Sequence, residues 1–288
     1  MIMNSAKRLE SRLKGMVAPR GGMFVPPELT KKMIQNIRKK RTIGVAFSFE
    51  MLPILHAKGF KEVTLIVQER PKKYIKNLCT KYGYEVKTIE EIEENEDMKF
   101  DVVLGNPPYG RGSNLAIEFI NTAKRFADKI IMVVPLTLRK STTMNKIDAN
   151  LHLTSDVDND PKAFGFELYT CNQTWEVRQE ERVMEKIYNK EMVKDDFLFT
   201  SKEDADVTIC AIGRYQIGQV FYRGEDYGHL KNFQERSEGS HHFLKILRPE
   251  ALETLSKLKY EFQEAASFTV AQSALSINDL VRVYLGAK

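Results

Sequence analysis

From Thr42 to Pro135, short runs of aliphatic and β-branched residues alternate with single stretches of helical pattern. The runs are TIGVAF (42–47), EVTLIVQE (62–69), YEVKTI (84–89), FDVVLG (100–105) and IIMVVP (130–135). Apolar strands that are each separated from the next by one helix belong to a parallel sheet covered on both faces. The sequence therefore predicts an α/β fold, in which ligands bind beyond the carboxyl ends of the strands.

The stretches between the runs carry helix boundaries. We expect one helix from Ser48 to Lys58, ended by Gly59, because glycine favours the turn that follows a helix. Pro71 opens a second helix that ends before Gly83. A third helix is expected after Ser113 as its cap, and its apolar face comprises Ala116, Phe119, Ile120, Ala123 and Ala127.

The alternation stops after Pro135. Residues 151–177 predict an antiparallel strand pair at the sheet edge, with Trp175 in the core, and residues 178–193 predict a charged helix. Short strands, glycines and aromatic residues follow, and then a helix within PEALETLSKLKYEFQEA. We expect a first domain over residues 1–193 and a second over residues 194–288.

Composition excludes several classes of protein. The 288 residues contain no apolar run approaching the roughly 20 residues that cross a bilayer, nor an N-terminal signal, so we expect a cytoplasmic protein without a membrane partner. Cys79, Cys171 and Cys210 are widely spaced and predict buried free thiols. Neither these cysteines nor the adjacent His241 and His242 predict a metal site. The sequence does not determine the oligomeric state.

Charge is unevenly distributed along the chain. Residues 1–41 hold eleven Lys or Arg against two Glu, whereas residues 85–101 hold eight acids against two Lys. A basic N-terminal arm of this kind can contact phosphates, or it can be a solvated helix face. We interpret the acidic segment as a solvated surface connection.

The sequence GNPPYG (105–110) directly follows the fourth apolar run. Because proline lacks an N–H, the pair Pro107–Pro108 presents carbonyl groups without donors, and Asn106 adds an amide oxygen beside them. A planar NH₂ group can donate one hydrogen to the Asn106 oxygen and one to the Pro107 carbonyl, which leaves its lone pair directed at an electrophile. Tyr109 can stack on a planar substrate. The alternative is a proline-rich loop that only connects strand to helix.

DVVLGNPPYG resembles the catalytic loop of the amino-methyltransferases that use S-adenosylmethionine. GMFVPPELTKKMI (22–34) is similar to the Phe-x-x-Pro segment of N6-adenine DNA methyltransferases, and the motif order is that of their gamma subgroup. The resemblance implies a Rossmann-like class I methyltransferase with a mostly parallel seven-stranded sheet. VTICAIGRYQIGQVF and SHHFLKI are similar to the recognition regions of phage and bacterial modification methylases, which implies a small α+β recognition domain.

The resemblance also implies roles for individual residues. Asn106 and Pro107, with Pro108 in the same loop, would hold the target amine, and Tyr109 would stack on the flipped base. Glu69 would accept the ribose hydroxyls. The complete set implied to contact the cofactor is Phe24, Pro26, Phe47, Ser48, Glu69, Thr88, Ile89 and Asn106.

The turn after the first strand departs from the family pattern. A glycine-rich turn is usual there, but this chain has GVAFSFEML (44–52). In one interpretation, Ser48 caps the next helix, the backbone amides there receive the cofactor carboxylate, and Phe47 packs on the cofactor. In the other interpretation, the bulky residues close the pocket and the protein no longer methylates.

The predicted reaction is N6-methylation of adenine in double-stranded DNA, with S-adenosylmethionine as cofactor and no metal. Three alternatives remain: a protein-glutamine methyltransferase, an RNA amino-methyltransferase, and an inactive methylase-derived DNA-binding protein. The last is favoured by the atypical turn. The residues expected to contact DNA, besides the basic arm, are Arg214, Tyr215, Arg223, His229, Lys231 and Arg236.

Overall fold

The structure is a computed structural model that describes residues 24–95, 97–213, 215–268 and 273–288. Contacts within the chain define two compact units. The first comprises residues 1–138 and 143–184, and the second comprises residues 139–142 and 185–288.

The first unit contains a seven-stranded sheet over its described residues. Its strands are β1 (Ile43–Ala46), β2 (Val63–Val67), β3 (Glu85–Thr88), β4 (Val102–Gly105), β5 (Lys129–Pro135), β6 (Leu151–Asp158) and β7 (Thr170–Val177). The order is β3-β2-β1-β4-β5-β7-β6, with β1 to β5 parallel and β7 antiparallel to both its neighbours. The predicted α/β class and the mostly parallel seven-stranded sheet are confirmed.

One helix precedes β1 and others follow the parallel strands; those after β1, β2 and β4 are the three that the sequence predicts. They are α1 (Pro27–Ile34), α2 (Leu52–Ala57, preceded by a 3₁₀ turn at Phe49–Met51), α3 (Lys73–Tyr82), α4 (Ile89–Glu93), α5 (Asn114–Ala123) and α6 (Ser141–Met144). Gly59 and Gly83 have φ of +82° and +70°, which explains why glycine follows α2 and α3.

Apolar side chains cover both faces of the sheet. In β1, Ile43 and Val45 belong to one cluster of buried residues and Ala46 to the other. Trp175 is fully buried, as predicted. The apolar face of α5 is buried, but the helix ends at Ala123, and Ala127 instead forms a bridge to Phe100, two residues before β4.

The prediction of a helix over residues 178–193 is wrong. Residues 178–189 have no regular secondary structure, and only a single turn forms at Lys190–Val193. The Asn150 amide donates to the carbonyls of Arg178 and Gln179 at 3.2 and 3.1 Å. The Arg182 guanidinium donates to two carbonyls near the end of α6. Tertiary hydrogen bonds thus hold the start of the segment without regular secondary structure, and its charged pattern offers little apolar surface for a helix to bury.

The second unit contains a four-stranded antiparallel sheet packed with helices. Its elements are β8 (Phe197–Phe199), β9 (Val207–Cys210), β10 (Val220–Tyr222), β11 (His241–Ile246), α7 (Pro249–Lys257), α8 (Lys259–Ala266) and α9 (Ile277–Ala287). The strand order is β10-β9-β11-β8. The single helix expected within residues 249–265 is divided into α7 and α8 at Leu258.

A buried ion pair lies inside the second unit. The Lys140 ammonium is 2.8 Å from the Asp279 carboxylate, and the two side chains are only 10% and 6% exposed. Lys140 also donates to the Ala274 carbonyl at 2.9 Å. Asp279 closes a capping box with Ser276 at the start of α9. Among the described residues, no helix is long and apolar enough to cross a membrane.

We expect Gly105→Ala to reduce the free energy of unfolding by about 3 kcal/mol. A Cβ at this position would lie 2.2 Å from the Ala46 carbonyl oxygen, so the ends of β4 and β1 would have to separate. Gly44→Ala is the matched control. Its Cβ would meet the flexible ends of Ile66 and Val103, and we expect a loss of about 1 kcal/mol. Equal losses in urea unfolding would contradict the prediction.

We expect Lys140→Met to reduce the free energy of unfolding by about 3 kcal/mol, because the substitution leaves the buried carboxylate of Asp279 without its cation. The control is Lys257→Met, which removes one partner of an exposed pair with Glu253 and should have little effect. Thermal and urea unfolding of the two variants provide the comparison. A stable Lys140→Met protein would show that the pair contributes nothing.

Candidate active site

The carboxyl ends of β1 to β4 meet at one edge of the sheet. Ala46, at the end of β1, pairs with Ile66 in β2 and with Gly105 in β4. Val67 pairs with Thr88 at the end of β3. The predicted site residues that follow these strands therefore share one edge.

The GNPPYG loop is attached to the turn after β1. The Asn106 backbone N–H donates to the Ser48 hydroxyl oxygen at 3.0 Å, and the two residues are 4% and 1% exposed. Ser48 was expected to cap the next helix, but its side chain makes no capping bond. That prediction is wrong, because the hydroxyl instead fixes the start of the loop.

The other end of the loop is attached to α5. The Tyr109 carbonyl accepts a hydrogen bond from the Leu115 N–H at 3.2 Å. Gly110 has φ of +68°, and a Cβ there would lie 2.7 Å from the Leu115 side chain. Ser113, expected to cap α5 with its side chain, adopts φ of +63° and makes no such bond. The loop therefore returns to the helix through a tight turn that requires glycine.

The hydroxyl of Tyr109 points into the protein. The oxygen is buried and has no hydrogen-bond partner. Burial raises the pKa of the Tyr109 phenol well above its usual value, and the nearby Cys171 thiol raises it further. Because the phenol keeps its proton, this residue can contribute the partly exposed face of its ring but not a base.

Phe47 occupies the position where the family usually has glycine. Its φ of +59° is a conformation that bulky residues rarely adopt. The ring packs edge-to-face on Phe119 of α5, with 4.9 Å between the ring centroids. The ring of Phe47 thus contacts the protein core. The expected packing of Phe47 on the cofactor stays a prediction.

The Phe-x-x-Pro segment packs on the turn after β1. The ring of Phe24 contacts that of Phe49 at 5.6 Å between centroids, and Pro26 immediately precedes α1. The Val25 N–H donates to Oε1 of Glu50 at 2.8 Å. The segment is thus held by one ring contact and one buried hydrogen bond.

Glu50 was not predicted as a site residue. It is 8% exposed, and its second oxygen, Oε2, is buried without a partner. Burial raises the pKa of Glu50 to about 7, although backbone hydrogen bonds from Val25 and from Glu50 itself oppose the shift. The available signal was a lone acid among apolar residues in FSFEML (47–52).

Three further predicted residues follow β2 and β3. Glu69 is exposed just beyond β2. The Thr88 hydroxyl accepts from the Glu91 N–H in a capping box, so it caps α4. Ile89 is partly buried against the sheet core. These residues lie at the expected edge, and the ligand contacts predicted for them stay predictions.

The expected DNA-contacting residues lie in the second unit, except that Arg214 is outside the described residues. Tyr215 is 79% exposed, and His229 and Lys231 are also exposed. They remain available to a partner.

Arg236 and Arg223, which were also expected to contact DNA, form contacts within the second unit. Arg236 is 3% exposed, its guanidinium lies over the Phe221 ring, and it donates to the Lys231 carbonyl. Its predicted direct contact with DNA stays a prediction, and it would require this buried side chain to leave these contacts. Arg223 donates to the carbonyls of residues 202, 203 and 205 and lies over the Phe233 ring. Its Nε and Nη2 donors are likewise engaged within the unit.

Two cavities of the first unit lie away from the candidate site. Their volumes are about 490 and 580 Å³, and both are lined by Asn36, Lys129 and Glu176 at the amino end of the parallel strands. None of the residues predicted to contact the cofactor or the target amine lines either cavity, and we assign the cavities no role.

The residues at the carboxyl edge fit the cofactor that the resemblance implies. Glu50 offers a buried acceptor oxygen without a donor, Glu69 an exposed carboxylate, and Ile89 an apolar surface. S-adenosylmethionine carries an ammonium group, ribose hydroxyls and an adenine ring, which match these three kinds of surface. Among the described residues, no group of three or more His, Cys, Asp or Glu could hold a metal ion.

Several solved structures are similar in fold to part of this chain. The chain is similar to a Listeria monocytogenes protein described as a class I S-adenosylmethionine-dependent methyltransferase, with 14% identity over 64% of this chain and 71% of that chain and a TM-score of 0.46. It is also similar to TrmN from Thermus thermophilus (11% identity, 52% and 48% coverage, TM-score 0.40). A third similar structure is the M protein of the type I restriction enzyme EcoKI (12% identity, 55% and 44% coverage, TM-score 0.39).

No curated protein matches the sequence significantly. A sequence model of a protein family does match, over residues 28–148, and its description is Eco57I restriction-modification methylase. The matched range begins in α1, includes β1 to β5, and contains the complete GNPPYG loop. The match covers less than half of the chain, so residues 28–148 are similar to a restriction-modification methylase, and S-adenosylmethionine is the cofactor that such a domain uses.

Proposed function

We propose that the protein methylates the N6 amino group of adenine in double-stranded DNA at a specific sequence. The observation that carries this proposal is the GNPPYG loop, which is fixed at one end by Ser48 and at the other by Leu115, at the carboxyl end of β4. The match to a restriction-modification methylase supports DNA as the substrate.

The loop contributes hydrogen-bond acceptors and a ring. The Asn106 side-chain oxygen and the Pro107 carbonyl accept the two hydrogens of the target NH₂, which raises the electron density on nitrogen. The Tyr109 ring stacks on the base after it has left the duplex. S-adenosylmethionine supplies an electrophilic methyl group when it is bound. No side chain has to remove a proton before attack, which agrees with the raised pKa of Tyr109.

Recognition of the DNA is assigned to the second unit, mainly residues 194–288. Tyr215, His229 and Lys231 are exposed there, and the sequence of residues 1–41, of which 1–23 lie outside the described residues, adds eleven cationic side chains. Cations and an exposed aromatic ring are suited to phosphate and base contacts. We expect the protein to act in the cytoplasm of a bacterial or phage-infected cell.

A second candidate function is that of an inactive, methylase-derived DNA-binding protein. Two observations favour it: Asn106 is only 4% exposed, and Phe47 replaces glycine in the turn after β1. In that case the loop would be retained as a structural connection, and the second unit would still bind DNA.

We expect Asn106→Ala to reduce methyl transfer to DNA by about 100-fold or more, because an acceptor that acts on the developing charge is lost. The assay follows labelled methyl from S-adenosylmethionine into unmodified double-stranded DNA. Asn36→Ala, at an exposed asparagine on the opposite side of the sheet, is the matched control and should keep full activity. DNA binding by wild-type protein without any transfer would favour the inactive candidate, and label on RNA or protein would favour those substrates.

We expect Tyr109→Phe to keep activity within about threefold of wild type, whereas Tyr109→Ala should lose about 5- to 150-fold through lost stacking. The reason is that the phenol oxygen has no hydrogen-bond partner, so its removal leaves the ring in place. The same transfer assay measures both variants. A large loss in Tyr109→Phe would show that the hydroxyl itself acts in the reaction.

A further inference from the structure

Glu50 differs from the other buried acids of the described chain, which are Asp196 and Asp279. Asp196 lies 2.7 Å from the Lys288 ammonium, and Asp279 lies 2.8 Å from that of Lys140. Within the part of the chain that the structure describes, Glu50 forms no ion pair; its Oε1 atom accepts from the Val25 N–H, and its Oε2 atom has no partner. A buried carboxylate with an unsatisfied oxygen is costly for stability, so its presence requires an explanation.

Glu50 lies beside the groups that form the site. It is in the 3₁₀ turn that directly follows Ser48, whose hydroxyl holds the Asn106 backbone. Its other oxygen holds Val25, which is between the predicted cofactor contacts Phe24 and Pro26. The unsatisfied oxygen is therefore at the junction of the Phe-x-x-Pro segment and the turn after β1.

The amino-acid end of S-adenosylmethionine carries an ammonium group, the cation that Glu50 lacks. We propose that Oε2 of Glu50 accepts a hydrogen bond from this α-ammonium, so that Glu50 is a cofactor-binding residue. The inference rests on the use of S-adenosylmethionine and is independent of the nucleic acid or protein that is methylated. Because Oε2 is shielded from solvent here, side chains that cover it must shift when the ligand enters.

Among the described residues, no charged neighbour contributes to the raised pKa of Glu50. Burial is the dominant cause of its raised pKa, and the opposing contributions come only from backbone N–H groups. On the neighbouring α1, Glu28 and Lys31 pair with each other at the surface. An arriving ammonium would favour the ionised carboxylate, so ligand binding below neutral pH should release a proton.

The test compares two ligands that differ in the amino-acid end. S-adenosylhomocysteine carries the ammonium, whereas 5′-methylthioadenosine has the same nucleoside and a thioether but no amino-acid group. We expect Glu50→Gln to weaken S-adenosylhomocysteine binding by about 10- to 100-fold, the loss of one charge-assisted hydrogen bond. Affinity for 5′-methylthioadenosine should stay within about twofold. Glu28→Gln, an exposed acid of the adjacent helix, is the matched control and should change neither affinity.

Calorimetry of the wild-type protein gives an independent measurement if Glu50→Gln does not fold. At pH 6, in buffers of different ionisation enthalpy, we expect S-adenosylhomocysteine to release about one proton and 5′-methylthioadenosine none. Equal losses of both ligands in Glu50→Gln, or binding of S-adenosylhomocysteine without proton release, would overturn the role of Glu50 and leave the methylase function intact. If wild-type protein binds neither ligand, both proposals are wrong.

Discussion

The site depends on the close approach of β1 and β4 at their carboxyl ends. Gly105 is paired with Ala46, and the space for a side chain at Gly105 is filled by the Ala46 carbonyl oxygen. This approach brings Ser48 next to the residue that follows β4, so the Ser48 hydroxyl can accept the Asn106 N–H. The absence of a side chain at Gly105 therefore determines where the loop begins.

Much of the first unit could be predicted from the sequence. The five apolar runs became the five parallel strands, and Gly59 and Gly83 end their helices in the expected left-handed conformation. These predictions succeed because two-sided burial forces a strand to be apolar throughout, and because glycine tolerates positive φ. The same local signals located the GNPPYG loop at a strand end.

The errors arise where tertiary contacts override local pattern. Serine is a residue type that often caps helices, but the Ser48 hydroxyl accepts a hydrogen bond from the Asn106 N–H, 58 residues away. The charged segment from residue 178 has residues that are common in helices. Hydrogen bonds from Asn150 instead hold its first residues without regular secondary structure. Arg236 is in a polar segment of the sequence that suggests exposure. Its guanidinium nevertheless lies over the Phe221 ring and donates to the Lys231 carbonyl inside the second unit. Glu50 was missed because a single acid in an apolar segment does not reveal whether a cation is nearby.

Residues 139–142 belong to the second unit, which limits how the protein can be divided into fragments. The polypeptide enters that unit twice, first for four residues after β5 and then from residue 185 onward. A fragment cut at residue 185 would keep Asp279 but lose the ammonium that neutralises it. The two units are thus not separable by one cleavage of the chain.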